Sequence, residues 1–237
     1  MLRLKLHDPI LCLLFPLPFN EMLKYIASAW VLVGLVIGFS MPKAQDLATT
    51  PIAFFHVPMA ISMLLLFLLA AVWSVKWAFF GRDARDDARS LAFAEVGFLA
   101  GVVALATGMI FARTNWGAYW SWDPQQVGVL GTLLTYAALF ALRGATDDDA
   151  TKRKLWTAYS VLGVLVACFG SYVYRQMLPA GTSLHPNGTL HSSERAFKFA
   201  LWFNAAGYAM LLICAANVRA RLEIVSNRLE ERTWKIS

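Results

Sequence analysis

Apolar residues in this chain gather into six blocks separated by short polar stretches, over residues 21–40, 52–79, 91–112, 126–142, 155–177 and 196–217. A helix rises 1.5 Å per residue, so about twenty apolar residues cover a hydrocarbon core ~30 Å thick. Open sheet cannot satisfy its backbone in lipid, so every block is predicted as a helix. The pattern therefore predicts an all-α fold, a polytopic membrane bundle of six transmembrane helices forming a single membrane domain over residues 1–237. The second block is long enough to tilt or to project beyond the bilayer. Residues 218–237 are predicted as a tail, in which Leu222, Val225 and Leu229 recur at helical spacing among charges, as in a surface helix or docking segment. Residues 10–18 are apolar but short, broken by Pro16 and Pro18, and lack a small-residue cleavage site. They are expected at the membrane surface and not as a cleaved signal peptide.

Composition sharpens this picture. The chain is 58% hydrophobic and 15% charged, against roughly a quarter charged in soluble domains. Its net charge of +6 lies in short stretches beside the apolar blocks, which is how membrane topology is written and argues against nucleic-acid binding. Sixteen of the 21 Lys and Arg residues fall on one side: Arg3, Lys5, Lys24, Lys76, Arg82, Arg85, Arg89, Arg143, Lys152, Arg153, Lys154, Arg219, Arg221, Arg228, Arg232 and Lys235. The other side has Lys43, Arg113, Arg175, Arg195 and Lys198. The positive-inside rule then places both termini, and the tail, in the cytoplasm. The connections GRDARDDARS and GATDDDATKRK read as solvated linkers. Cys12, Cys168 and Cys214 form no CxxC pair, which argues against a thiol oxidoreductase, a zinc site or a covalently attached cytochrome haem. Within the blocks Glu95, Asn204 and Thr107 are the few polar groups, expected in packing or interhelical hydrogen bonding.

The outer connections differ in kind. Between the third and fourth blocks, Trp116, Tyr119, Trp120 and Trp122 crowd into seven residues, with Gly117 among them and Asp123–Pro124 at the end. Such rings are either an interfacial aromatic belt or a platform for a flat, largely apolar ligand. Of the four histidines, His7 reads as a solvated surface residue. His56 lies about one turn into the second block, where an ionisable ring is either functional or hydrogen-bonded to a carbonyl. His185 and His191 share the outer loop before the sixth block, as ligands or as plain loop residues. Two imidazoles can complete the coordination of haem iron from opposite faces, and the porphyrin plane matches the tryptophans. Haem propionates need cations or donors. Arg113 and Arg175 end their blocks beside this loop and are the better candidates among the outer basic residues.

The run Trp116, Gly117, Ala118, Tyr119, Trp120, Ser121, Trp122, Asp123 resembles the tryptophan-rich WWD signature of haem-handling membrane proteins, specifically of the CcmC family of cytochrome c maturation. His56, followed by Val57 and Pro58, resembles that family's first outer histidine, and His185 in Ser183-Leu184-His185 its second. Length and span number agree, so the resemblance covers nearly the whole chain. It implies that His56 and His185 are axial ligands of haem b, a transported ligand. It implies that Trp116, Gly117, Tyr119, Trp120, Trp122 and Asp123 form the platform and the surface met by the haem chaperone CcmE. Further implied partners are the small membrane protein CcmD and the ABC-type subunits CcmA and CcmB. The implied location is the bacterial inner membrane, with the haem site facing the periplasm. His191 has no counterpart there.

Under that resemblance the protein binds haem and hands it over, and is not an enzyme. No GxxxxGK[ST] loop is present, so ATP use would belong to partners. The rival readings are a WWD-family haem lyase, which usually carries further histidines inside its spans, a b-type membrane cytochrome with paired intrahelical histidines, and a permease unrelated to haem.

Overall fold

A computed structural model describes residues 18–40, 50–179, 181–185 and 195–234. Expectations about residues 10–17, His7, Cys12, Lys43 and His191 fall outside those residues. Six helices long and apolar enough to cross a membrane follow one another. They are α1 (Pro18–Ser40), α2 (Thr50–Phe79), α3 (Ala84–Trp116) and α4 (Pro124–Gly144), then α5, then α6 (Arg195–Trp234). Helix α5 runs as Asp149–Cys168, continues through a π-helical turn at Phe169–Val173, and ends as Tyr174–Met177. The fold is all-α, and no strand occurs among the described residues.

Short polar caps define the helix starts. The carboxylates of Asp83, Asp123 and Asp148 accept hydrogen bonds from the N–H groups of Arg85, Gln125 and Thr151, satisfying donors that a first turn leaves orphaned. Helix α3 ends on Gly117, whose φ of 87° is the left-handed conformation of a glycine cap; its N–H donates to Arg113 O at 3.2 Å.

Two helix ends depart from expectation. The linker 81–90 is not solvated throughout, because Asp86 and Asp87 sit buried in the first turn of α3. Asp87 takes both Arg143 Nη1 (3.0 Å) and Nη2 (2.7 Å), with Arg153 at 3.4 Å. Asp86 takes Lys76 at 3.0 Å and Arg89 at 3.2 Å. Acids at a helix N-terminus gain from the backbone dipole, and here the cations come from α2, α3, α4 and α5, so the stretch staples four helices together. The residues expected as a tail continue α6 without interruption to Trp234.

Between helices the packing relies on small residues and a few interhelical hydrogen bonds, as it must where lipid is as apolar as the core. Phe67 of α2 stacks on Tyr136 of α4 with centroids 3.5 Å apart. Met63, Leu66 and Phe67 fill the centre against α3. Ser74 and Ser160 share a 2.7 Å hydrogen bond, and Trp156 Nε1 donates to Ser90 at 2.8 Å. Helix α1 leans on α6, where Asn204 donates to Gly34 O at 3.0 Å and Trp30 to Phe203 O at 3.0 Å. Its other face exposes Leu32, Val33, Val36 and Phe39, as a lipid-bathed surface requires.

Candidate functional site

The start of α2, the α3–α4 connection and the segment after α5 meet at one end of the bundle. Asp123 is the residue on which they converge. As the first cap of α4 its Oδ1 accepts from Gln125 N at 2.9 Å. The same oxygen lies 2.8 Å from His185 Nδ1. Its Oδ2 accepts from the Ser183 hydroxyl at 2.8 Å and from Leu184 N at 2.6 Å. Burial works against ionisation of Asp123. The hydrogen bond and charge of His185, with the Ser183 hydroxyl and the Gln125 N–H, outweigh it and hold the carboxyl well below the usual carboxylate range.

A carboxylate can only accept, so the proton of a neutral His185 lies on Nδ1 and its Nε2 offers a lone pair. His56 is arranged alike: its Nδ1 lies 2.8 Å from Ala104 O, with the Thr107 hydroxyl at 3.3 Å. A carbonyl also only accepts, so again Nδ1 donates and Nε2 carries the lone pair. The His56 ring packs against α3 at Gly108, where a Cβ would come within 2.7 Å of Cε1. Among the described residues no three His, Cys, Asp or Glu side chains group as a metal cage needs.

Around these rings stand the aromatics. Trp116 meets His185 edge-on at 4.9 Å and Phe111 at 5.7 Å. Trp120 and Trp122 meet edge-on at 5.7 Å. Trp122 is 76% exposed and Tyr119 55%. Trp122 holds φ at 58°, a left-handed conformation that costs a bulky residue about 1 kcal/mol or more. Gln126 fixes the loop from beneath, accepting from Ser121 N and Oγ at 3.1 Å each and donating to Tyr119 O at 3.2 Å. Arg113 donates to Gly117 O and lies over Tyr119 at 5.9 Å. Arg175 donates to Gln125 Oε1 at 2.8 Å. Both arginines thus stand at this end, Arg113 engaged with the α3–α4 connection and Arg175 with the first turn of α4. Helices α4 and α5 cross closely just below: a Cβ on Gly128 would fall 1.8 Å from Gly170 O.

All ten residues singled out in the sequence lie at this end of the bundle. Asp123 differs in placement from the expected surface, since it is buried behind the rings at 3% exposure. Sequence reasoning missed Ser183, Gly108 and Gln126. Gln126 had a signal, because Asp123-Pro124-Gln125-Gln126 has the spacing of a capping box. Gly108 had none among fifteen glycines.

These features define a multi-pass membrane protein with two histidines, an aspartate and a tryptophan-rich loop gathered at one end of its bundle. Residues 5–235 match the family model described as heme exporter protein C, CcmC. The heme exporter protein C of Paracoccus denitrificans is 30% identical over 210 residues, 86% of this chain and 85% of that protein. That of Rhodobacter capsulatus is 28% identical, over 89% of this chain and 90% of its own length. That of Escherichia coli K12 is 28% identical, over 88% and 85% respectively. The chain belongs to the heme exporter protein C family.

Proposed function

We propose that this protein binds haem b at the periplasmic face of the bacterial inner membrane and delivers it to the chaperone CcmE during cytochrome c maturation. The observation that carries the reading is the matched preparation of two imidazoles. His56 and His185 each have Nδ1 tied to an acceptor, which turns Nε2 toward metal ligation. His56 is fixed to the rigid bundle through α2. His185 stands on a short segment held by Asp123. The exposed Trp122 and Tyr119, with the half-buried Trp120, cover the porphyrin and meet the chaperone, while Arg113 and Arg175 serve the propionates.

The chain's residues then bind, orient and shield the cargo without forming a covalent bond to it. Release proceeds by ligand exchange: when the partner supplies replacement contacts, one imidazole after another lets go, and no single step exposes bare haem to water. CcmD, CcmA and CcmB complete the assembly, and any ATP use lies with the ABC-type subunits. The cytoplasmic location of both termini rests on the uneven distribution of Lys and Arg. Single cysteines placed near either terminus and labelled from the periplasmic side test that orientation; labelling would reverse it.

The ligand assignment is tested by purifying the protein in detergent with haem and recording its absorption spectrum. His56→Ala and His185→Ala should each weaken or shift the Soret band, and His191→Ala should not. Parental spectra from all three would overturn the assignment.

A further inference from the structure

We infer that Asp123 is a positioning residue for haem ligation, holding His185 in the tautomer that binds iron through Nε2 and making it the stronger electron donor of the two histidines. The inference rests on His185 being a haem ligand, as proposed above. Its observations are the 2.8 Å contact from His185 Nδ1 to Asp123 Oδ1 and the complete burial of the Asp123 side chain. The contrast with His56 adds to them.

A carboxylate behind a metal-binding imidazole fixes the ring and raises its basicity, because negative charge on the far nitrogen pushes electron density toward the near one. His56 has a neutral carbonyl, Ala104 O, in the same place. The two ligands thus differ in their backing, and the difference lies in one charge. Asp123 is itself held from three further directions, by Gln125 N, Ser183 Oγ and Leu184 N. It cannot swing away from the ring without giving up the cap of α4 and the 183–185 segment together. Greater donation from His185 stabilises ferric over ferrous haem. The WWD aspartate in this chain thus acts from behind the ligand, and the tryptophans supply the surface.

Asp123→Asn removes the charge together with the second acceptor, which Ser183 and Leu184 share. Asparagine caps a helix as well as aspartate does and still offers an oxygen to Nδ1. The haem-loaded, purified full chain is titrated potentiometrically, beside Asp148→Asn, the same change at the cap of α5, away from both histidines. Asp123→Asn is expected to lower the ratio of ferric to ferrous affinity about tenfold, which for one electron is a midpoint shift of about 59 mV to the positive. Asp148→Asn is expected to keep the parental potential. His185→Ala serves as the reference. If it changes the spectrum while Asp123→Asn keeps the parental potential, Asp123 is only a cap and the inference falls. If His185→Ala leaves the spectrum unchanged, the ligand assignment falls and takes the inference with it. A loss of haem occupancy without a shift in potential also counts against it, since that is what a purely structural aspartate would do.

Discussion

Adding one methyl group to Gly108 tests the His56 arrangement more sharply than removing the histidine. The new Cβ would lie 2.7 Å from His56 Cε1, 3.3 Å from Nδ1 and 3.5 Å from Nε2. Carbon atoms settle at about 3.5 Å or more, so the ring must retreat by roughly 0.8 Å. Retreat stretches the 2.8 Å bond from Nδ1 to Ala104 O beyond hydrogen-bonding range. A bond of this kind contributes about 1 kcal/mol, and the misaimed Nε2 adds to the loss, so haem affinity should fall about five- to tenfold. The helix itself gains, because alanine is favoured over glycine in a helix interior by about 0.8–1 kcal/mol. Gly108→Ala should therefore bind haem less well in a spectrophotometric titration while melting no lower than the parent. Gly131→Ala, where no side chain lies within 4 Å, is the control and should leave binding unchanged. Parental affinity and spectrum in Gly108→Ala, or an equal loss in Gly131→Ala, would refute the placement of His56 in the site.

Trp120→Ala together with Trp122→Ala should reduce haem transferred to CcmE about tenfold, at about 0.5–1.5 kcal/mol for each lost ring contact; unimpaired loading would return both rings to an interfacial belt. Asp123 sits below the usual carboxylate range in the folded chain, so its contribution to stability is present above about pH 4, the ordinary carboxylate value, and is lost as pH falls through the lower folded value. Asp123→Asn should thus flatten the fall in melting temperature of the haem-free protein below pH 4, and an acid limb identical to the parent's would contradict this. Asp87→Asn removes the negative charge that faces Arg143 and Arg153. At about 3 kcal/mol the melting temperature should drop by roughly 6–12 °C, with the haem spectrum unaltered; a changed spectrum would mean that the two ends of the bundle are coupled.

Much of the architecture was legible because lipid imposes one requirement on every span. Blocks of apolar residues sufficed to locate all six helices, yet their ends ran past the blocks wherever a charge found a partner. Helix α3 begins at Ala84 and not near residue 91 because Asp86 and Asp87 are neutralised by cations from other helices, a pairing invisible to hydropathy. The same applies at the site. His56, His185 and the tryptophans stood out as residue types misplaced for plain membrane spans. The role of Asp123 did not, because its partners Ser183 and His185 lie sixty residues away along the chain. Gly108 is legible only once the opposing imidazole is in view.

The π-helical turn at Phe169–Val173 has a bearing on how such a site is assembled. A π turn carries one residue more than an α turn, so everything beyond it is rotated by about 100° relative to an uninterrupted helix. Arg175 lies just past that point and reaches Gln125. The same sequence wound as a regular helix would turn its guanidinium away from Gln125. A single supernumerary residue in a helix thus steers a cation inward, with no change in the composition of the segment.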